Sequence, residues 1–408
     1  MSSLKYNTLV PLYGLRRVGL AGFLVVAVLS AASPGVAAAP DSPQAVHART
    51  AVVAVANAEG FVPGHLARAG TSPSVFVLGT SPCGNRLCPS LWRGYEGEGG
   101  LSSHFVKVTV PPLAISKLYG EDQLVFANAR DGYASHSYGQ SSDAPVFATV
   151  DGARSWHRVS FGPGVGAFDI AAARGELYAV LVRCTWGTAG SAPSRCHDYR
   201  LARSRAGSTS WSSVPIPGAT TLLNDAVSLG VTGTQVWLSY QVKREGAVPQ
   251  LLVSESGLAP FVRVAQSALS GVLPCGLYPM TRAVLWALCP TGMQESVLRS
   301  TNAGRSFDTV WTTFPTIGSL FIPVSAEVAY RYEGVEHAPQ VLERTGDGGP
   351  DFKAVAPFPF VGGAGELFLF LDPNDGYAIG SVSRDKSQPT VTMLFTHDGG
   401  ASWHKVTV

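Results

Sequence analysis

One short phrase recurs along this chain and limits its fold more than any other feature. A run of alternating residues ends at Ser or Thr, Asp or Asn follows, then Gly, then Ser before Trp or Phe. Clear copies are Phe147-Ala-Thr-Val-Asp151-Gly152-Ala-Arg-Ser155-Trp156 and Phe395-Thr-His-Asp398-Gly399-Gly400-Ala-Ser402-Trp403. A third reads Ser300-Thr-Asn302-Ala-Gly304-Arg-Ser306-Phe307, and a fourth Thr345-Gly-Asp347-Gly348-Gly349-Pro-Asp-Phe352. Worn copies run from Arg203 to Trp211 and from Val253 to Phe261, and only a frame survives between Leu91 and Val108.

The phrase has the chemistry of a hairpin. A short side-chain acceptor bonds the turn amides, Gly takes the positive φ the turn needs, and the aromatic ring anchors the returning strand. The anchors Phe105, Trp156, Trp211, Phe261, Phe307, Phe352 and Trp403 stand 51, 55, 50, 46, 45 and 51 residues apart. Such intervals hold four short strands each, the unit of a propeller blade. The last blade reads as strands at 366–371, 377–382, 390–396 and 403–407, and the fourth as 226–231, 235–242, 250–254 and 261–265. The composition agrees: 45 glycines and 28 prolines supply turns, 46% hydrophobic residues fill a core, and only 14% are charged, against about 25% in ordinary domains. The expected fold is an all-β propeller of seven blades with four antiparallel strands each. Six or eight blades stay open, because the first copy is so degraded.

The repeated phrase resembles the Asp-box, or BNR repeat, with the pattern Ser-x-Asp-x-Gly-x-Thr-Trp. That repeat occurs in sialidases, sortilin-type receptors and photosystem II assembly factors. A companion phrase, Asp131-Gly132-Tyr133-Ala134 and Asp375-Gly376-Tyr377-Ala378, is similar to the turn between first and second strands in the assembly-factor-like branch. The stretches Val62-Pro63 to Cys83 and Leu285 to Met293 resemble secreted actinobacterial members of that branch. The resemblance implies that Asp151, Gly152, Trp156, Asn302, Gly304, Phe307, Asp347, Gly349, Phe352, Asp398, Gly400 and Trp403 are structural residues. It also implies that these turns face away from any active site.

The first forty residues read as an address. Lys5, Arg16 and Arg17 precede the apolar run Val18–Leu29, and small residues follow to Ala39. This is the order of a secretory signal peptide cleaved near Ala38 or Ala39. The run is shorter than the roughly 20 residues of a membrane span. Sec and Tat export both remain open. Residues 40–56 are then a linker, in which Ala51–Ala56 either adds a closing strand or stays part of the linker. Blades are expected at 57–110, 111–161, 162–217, 218–266, 267–312, 313–357 and 358–408.

Without the leader, 27 basic residues face 28 acidic ones. No basic stripe with interleaved aromatics appears, so nucleic acid is not an expected partner. The six cysteines form three local pairs, Cys83–Cys88, Cys184–Cys196 and Cys275–Cys289. Short-range disulfides suit an exported protein, and each would stabilise it by roughly 2–3 kcal/mol. No second Cys/His cluster accompanies Cys83 and Cys88 at zinc-ligand spacing.

Motifs for chemistry are sparse. A retaining sialidase needs three carboxylate-clamping arginines, a Tyr nucleophile paired with Glu, and an acid. Phe321-Ile322-Pro323 lacks the arginine of the corresponding sialidase motif, while Tyr330-Arg331-Tyr332-Glu333 is read as alternating faces of a strand. No Gly-x-Ser-x-Gly elbow, phosphate-binding loop or His-Glu-x-x-His helix occurs. His157 and His404 are expected on last strands. The sequence therefore points to a secreted or envelope-associated, non-enzymatic monomer without cofactor or catalytic residues, binding a protein or glycan. Trp186, Lys243 and Arg244 are candidate contact residues on the face opposite the repeated turns. A sialidase-like glycoside hydrolase and an envelope assembly factor are the alternatives.

Overall fold

A computed structural model describes residues 60–406, apart from 71, 73, 95–104, 113–121, 137–145, 187–192, 209, 221, 244–246, 248, 265–274, 292–293, 314–319, 333–340, 358, 361–366 and 383–389. The leader expected at 1–39 and the segment 40–56 lie outside these residues.

Seven four-stranded antiparallel sheets follow one another along the chain, each built from four consecutive strands in sequence order. The protein is an all-β, seven-bladed propeller. The first strands of the seven blades are Val62–Arg68, Asp122–Phe126, Val165–Ala173, Leu222–Thr232, Gly276–Pro279, Leu320–Pro323 and Leu367–Phe370. These touch one another at six of the seven seams, which makes them the inner strands. The fourth strands are short and lie outermost. In blade seven the order is completed by Gly376–Ser381, Val391–Thr396 and His404–Lys405; in blade four by Gln235–Val242, Gln250–Ser254 and Val262–Arg263. The outer strands are shorter than their sequence suggests, because Phe261 and Trp403 precede the ladder rather than open it. The inner strand of blade four begins earlier than expected, at Leu222.

Alternation explains where the core sits. A strand flanked on both sides by neighbouring blades buries both of its faces. The apolar side chains accordingly form seven clusters, one at each seam between blades. Between blades one and two lie Phe76, Leu78, Leu91, Leu124 and Phe126, with Trp156 packed against them. Trp211 joins the cluster of blades two and three, Phe261 that of three and four, and Phe307 that of four and five. Phe352 and Trp403 do the same at the next two seams. Each anchor aromatic therefore reaches back to the preceding blade, not merely across its own hairpin. Trp237 and Trp286 are fully buried, and each such ring contributes roughly 3 kcal/mol of apolar burial.

Ring closure follows from the same packing. Phe61, Val75, Val77, Trp92 and Phe105 of blade one meet Leu371, Tyr377, Ile379, Met393 and Val406 of blade seven in a cluster of their own. Arg68 of blade one donates from Nη1 to the carbonyl of Leu371 at 2.6 Å. Among the described residues, no strand is exchanged between these two blades. Among the described residues, side-chain packing closes the ring there.

All three disulfides are formed as local pairs: Cys83–Cys88, Cys184–Cys196 and Cys275–Cys289. Cys184 and Cys196 stand directly opposite each other, but the strands run on past them to Trp186 and back from Pro193. The bond therefore clamps the interior of a ladder and not its end. Cys83 closes the second strand of blade one, Val75–Cys83, while the third begins at Arg86.

Candidate functional site

The best-kept repeated turns are closed hydrogen-bond units. In blade two, Thr149 Oγ1 donates to Asp151 Oδ1 at 2.8 Å and accepts from the Ala153 amide at 2.9 Å. Asp151 Oδ1 also accepts the amides of Arg154 and Ser155, and its Oδ2 accepts Ser155 Oγ at 2.6 Å. Blade seven repeats this with Thr396, Asp398, Gly400 and Ser402. Blade five does so with an amide in place of the acid: Asn302 Oδ1 accepts Ser300 Oγ and the Ser306 amide, and its Nδ2 donates to Ser306 Oγ at 2.8 Å. Burial by itself pushes the Asp151 carboxyl up, yet the bonds from Ser155, Thr149 and Arg154 together hold it at about 2. A carboxylate with its lone pairs so occupied is a turn clamp and has little left for a substrate.

The backbone of these turns departs from a simple Gly rule. Two consecutive positive-φ residues form the bend, Gly152-Ala153 (75° and 68°), Ala303-Gly304 (60° and 76°) and Gly399-Gly400 (68° and 88°). In blade six the left-handed residue is Gly348, while Gly349 has an ordinary φ and donates its amide to Asp347 Oδ1 at 2.8 Å. The turn between first and second strands is tied to the same place. Gly152 N donates to Arg130 O and Gly399 N to Asn374 O, both at 2.8 Å. All these turns thus gather at one end of the ring, and connections between second and third strands fall at the other.

The repeated turns also hold neighbouring blades together, through residues the phrase does not contain. A second-strand aromatic of one blade runs under the turn of the next. A Cβ on Gly304 would meet Trp237 at 2.9 Å, and one on Gly399 would meet Tyr330 Oη at 2.9 Å. In four blades an arginine stands opposite that aromatic on the third strand: Phe76 and Arg93, Tyr178 and Arg203, Trp286 and Arg299, Tyr330 and Arg344. Three of these guanidinium groups lie over the ring, at 5.4, 5.3 and 6.0 Å from its centre. Arg203 and Arg299 continue to carbonyls of the following blade, Ser256 O at 2.8 Å and Ala326 O at 3.0 Å. Sequence reading missed these pairs; the tyrosines of the two Gly-Tyr-Ala phrases, Tyr133 and Tyr377, stand opposite Ala148 and Phe395 instead.

The segment weighed as a hydrolase signature is consumed by packing. Tyr330 is buried, and its hydroxyl donates to Pro373 O of blade seven at 2.9 Å. Burial pushes this phenol up to about 12, which disfavours a phenolate nucleophile. Arg331 Nε bonds Glu343 Oε2 at 2.5 Å, and its guanidinium lies 4.5 Å from the Phe352 ring centre. Glu333 lies outside the described residues. Among the described residues, the inner strands carry one arginine, Arg68, which is committed to Leu371 O.

The inner strands do hold a half-buried acid that sequence reading passed over. Asp169 accepts the Leu229 amide of blade four at 2.9 Å and Gln123 Nε2 of blade two at 3.4 Å, and Gln123 Oε1 accepts the Ile170 amide. Desolvation raises its carboxyl to about 7, against the hydrogen bonds that lower it. It stitches three blades together at the axis.

Lys243 is exposed just beyond the second strand of blade four, at the end away from the repeated turns. Arg244 and the side chain of Trp186 lie outside the described residues. His157 and His404 open the outer strands of blades two and seven and are exposed. Among the described residues, no group of three His, Cys, Asp or Glu could hold a metal ion, and no helix is long and apolar enough to cross a membrane.

No protein-family model matches the chain, and no curated protein is similar to it. Solved structures do match. A puromycin-hydrolysing peptidase of Mycobacterium tuberculosis aligns with a TM-score of 0.55 and 11% identity over 86% of this chain and 54% of its own. The chain thus spans about half the length of that peptidase. The β-propeller domain of the trilobed protease from Pyrococcus furiosus aligns with a TM-score of 0.51 and 7% identity over 85% of this chain and 96% of its own. A polysaccharide lyase of family PL25, an ulvan lyase, gives 0.51 and 11% over 84% and 96%. At such identities the likeness is one of fold.

Proposed function

We propose that this chain is an exported, non-enzymatic Asp-box propeller that binds a protein or glycan at the cell envelope. The contact surface is the end of the ring opposite the repeated turns. One observation carries the reading: the side chains suited to chemistry are spent on structure, Tyr330 on the Pro373 carbonyl of the next blade and Arg331 on Glu343 of its own sheet. Three disulfides support an oxidising compartment. The bonding of Thr149–Asp151–Ser155, copied at Thr396–Asp398–Ser402, supports the Asp-box identity of the turns.

A rigid ring leaves variation to the connections at its free end, where loops commonly carry recognition. Lys243, Arg244 and Trp186 are the contact residues assigned there. The test is binding of the mature protein to glycan and envelope-protein arrays. A specific ligand lost on Lys243→Glu with an unchanged fold is the expected result. A ligand lost only when the repeated turns are altered by surface substitutions, such as Arg154→Glu, would place the contact at the wrong end.

A further inference from the structure

The three disulfides differ sharply in exposure. Cys184 and Cys196 are 5% and 4% exposed, and Cys275 and Cys289 are 0% and 1%. The third bond sits on the tip of a hairpin whose residues from Pro82 to Leu87 are all exposed, Leu87 at 63%. Cys88 is half-buried. At the bend, Gly84 (φ 68°) has no atom within 4 Å of where a side chain would begin. An incoming reagent therefore meets open space on this side of the bond.

The charge around the bond also favours exchange. Arg86 stands directly opposite Cys83 in the ladder, and Ser81 opposite Cys88. Arg86 is the one charged residue between Pro82 and Pro89. A cation beside a sulfur stabilises its thiolate, which makes that sulfur a better leaving group. Nothing comparable is open at the other two bonds, whose sulfurs are shielded by the blade seams.

We propose that Cys83–Cys88 is a thiol–disulfide exchange site for a dithiol reductant, either a small dithiol or a dithiol oxidoreductase. A thiolate of the reductant attacks Cys88 Sγ. The S–S bond breaks, a mixed disulfide forms at Cys88, and Cys83 departs as a thiolate beside Arg86. The second thiolate of the reductant attacks its own sulfur in the mixed disulfide and releases Cys88. The reductant ends as a disulfide, and its two protons pass to Cys83 and Cys88. The hairpin tip bearing Arg86 and Leu87 is then no longer stapled, while the other two bonds and the ring persist. This site stands apart from the ligand-binding reading above.

The test uses the folded, oxidised protein with limiting dithiothreitol near neutral pH. Alkylation and peptide mass mapping at successive times then report which cysteines have opened. Cys83 and Cys88 are expected to label at least ~10-fold faster than the other four, with circular dichroism unchanged. Arg86→Glu should slow their labelling several-fold while leaving the fold intact. The double variant Cys83→Ser, Cys88→Ser should remain folded and resist labelling. Labelling of Cys184 or Cys275 at the same rate, or of no cysteine until the protein unfolds, would overturn the proposal. So would an Arg86→Glu protein that exchanges as fast as the parent.

Discussion

The Tyr330 hydroxyl in blade six donates to the Pro373 carbonyl in blade seven at 2.9 Å, across 43 residues of sequence. The same hydroxyl would lie 2.9 Å from a Cβ on Gly399, the first bend residue of the last repeated turn. A residue that resembles a nucleophile in the sequence is thus a strut between two blades. Tyr330→Phe keeps the ring and removes one hydrogen bond. It should cost about 1 kcal/mol in denaturant unfolding, more if the carbonyl of Pro373 finds no water.

Gly304 combines a φ of 76° with a Cβ position 2.9 Å from Trp237. Gly304→Ala has both a disfavoured backbone and a collision with a fully buried ring. A loss of about 2 kcal/mol or more is expected from chemical denaturation. Gly349→Ala, at an ordinary φ, should cost clearly less in the same assay.

Asp169 and Asp151 push stability in opposite directions with pH. Asp169 is raised to about 7 in the fold, from an ordinary value of about 3.9 when unfolded. The fold then binds more protons than the unfolded chain, so its contribution is full below pH 4 and is lost as pH climbs towards 7. Asp151 is lowered to about 2; its contribution is present above pH 4 and is lost as pH falls towards 2. Melting temperatures of Asp169→Asn should vary less between pH 4 and 8 than those of the parent. Asp151→Asn should flatten the acid limb instead. A parent protein whose stability rises from pH 5 to 8, with the rise kept in Asp169→Asn, would contradict the assignment of Asp169.

Among the described residues, side chains join blades one and seven, and Arg68 donates to Leu371 O across the seam. Desolvation lowers the Arg68 pKa, while Asp372 opposes that shift. Arg68→Met leaves the Leu371 carbonyl unpaired at a cost of about 1–3 kcal/mol. Hydrogen exchange should quicken first in the strands Val62–Arg68 and Leu367–Phe370. Uniform quickening around the ring would show that this seam has no special role.

The blade repeat was legible because each copy needs the same few atoms: a hydroxyl, an Asx side chain, a permissive bend and an aromatic. Even the first blade, where the phrase is worn away, keeps Gly94 opposite Phe105. The seams were harder to read. Arg93 and Phe76, or Arg299 and Trp286, share no fixed spacing in the sequence and meet only through the register of second and third strands. Asp169 was passed over for a related reason. A lone acid in Val-Gly-Ala-Phe-Asp-Ile carries no sequence signal for the Gln123 and Leu229 partners that other blades supply. Trp186 and Arg244 belong to no repeating pattern, so the sequence alone does not fix their role as contact residues.

The proposed function holds that the polar residues of this propeller build the ring and do not perform chemistry. Hydrolysis of a panel of sialosides and aryl glycosides by the mature protein tests it most directly. No turnover above a protein-free blank is the expected result. Turnover at enzyme-like rates that disappears in a folded Tyr330→Phe protein would contradict it.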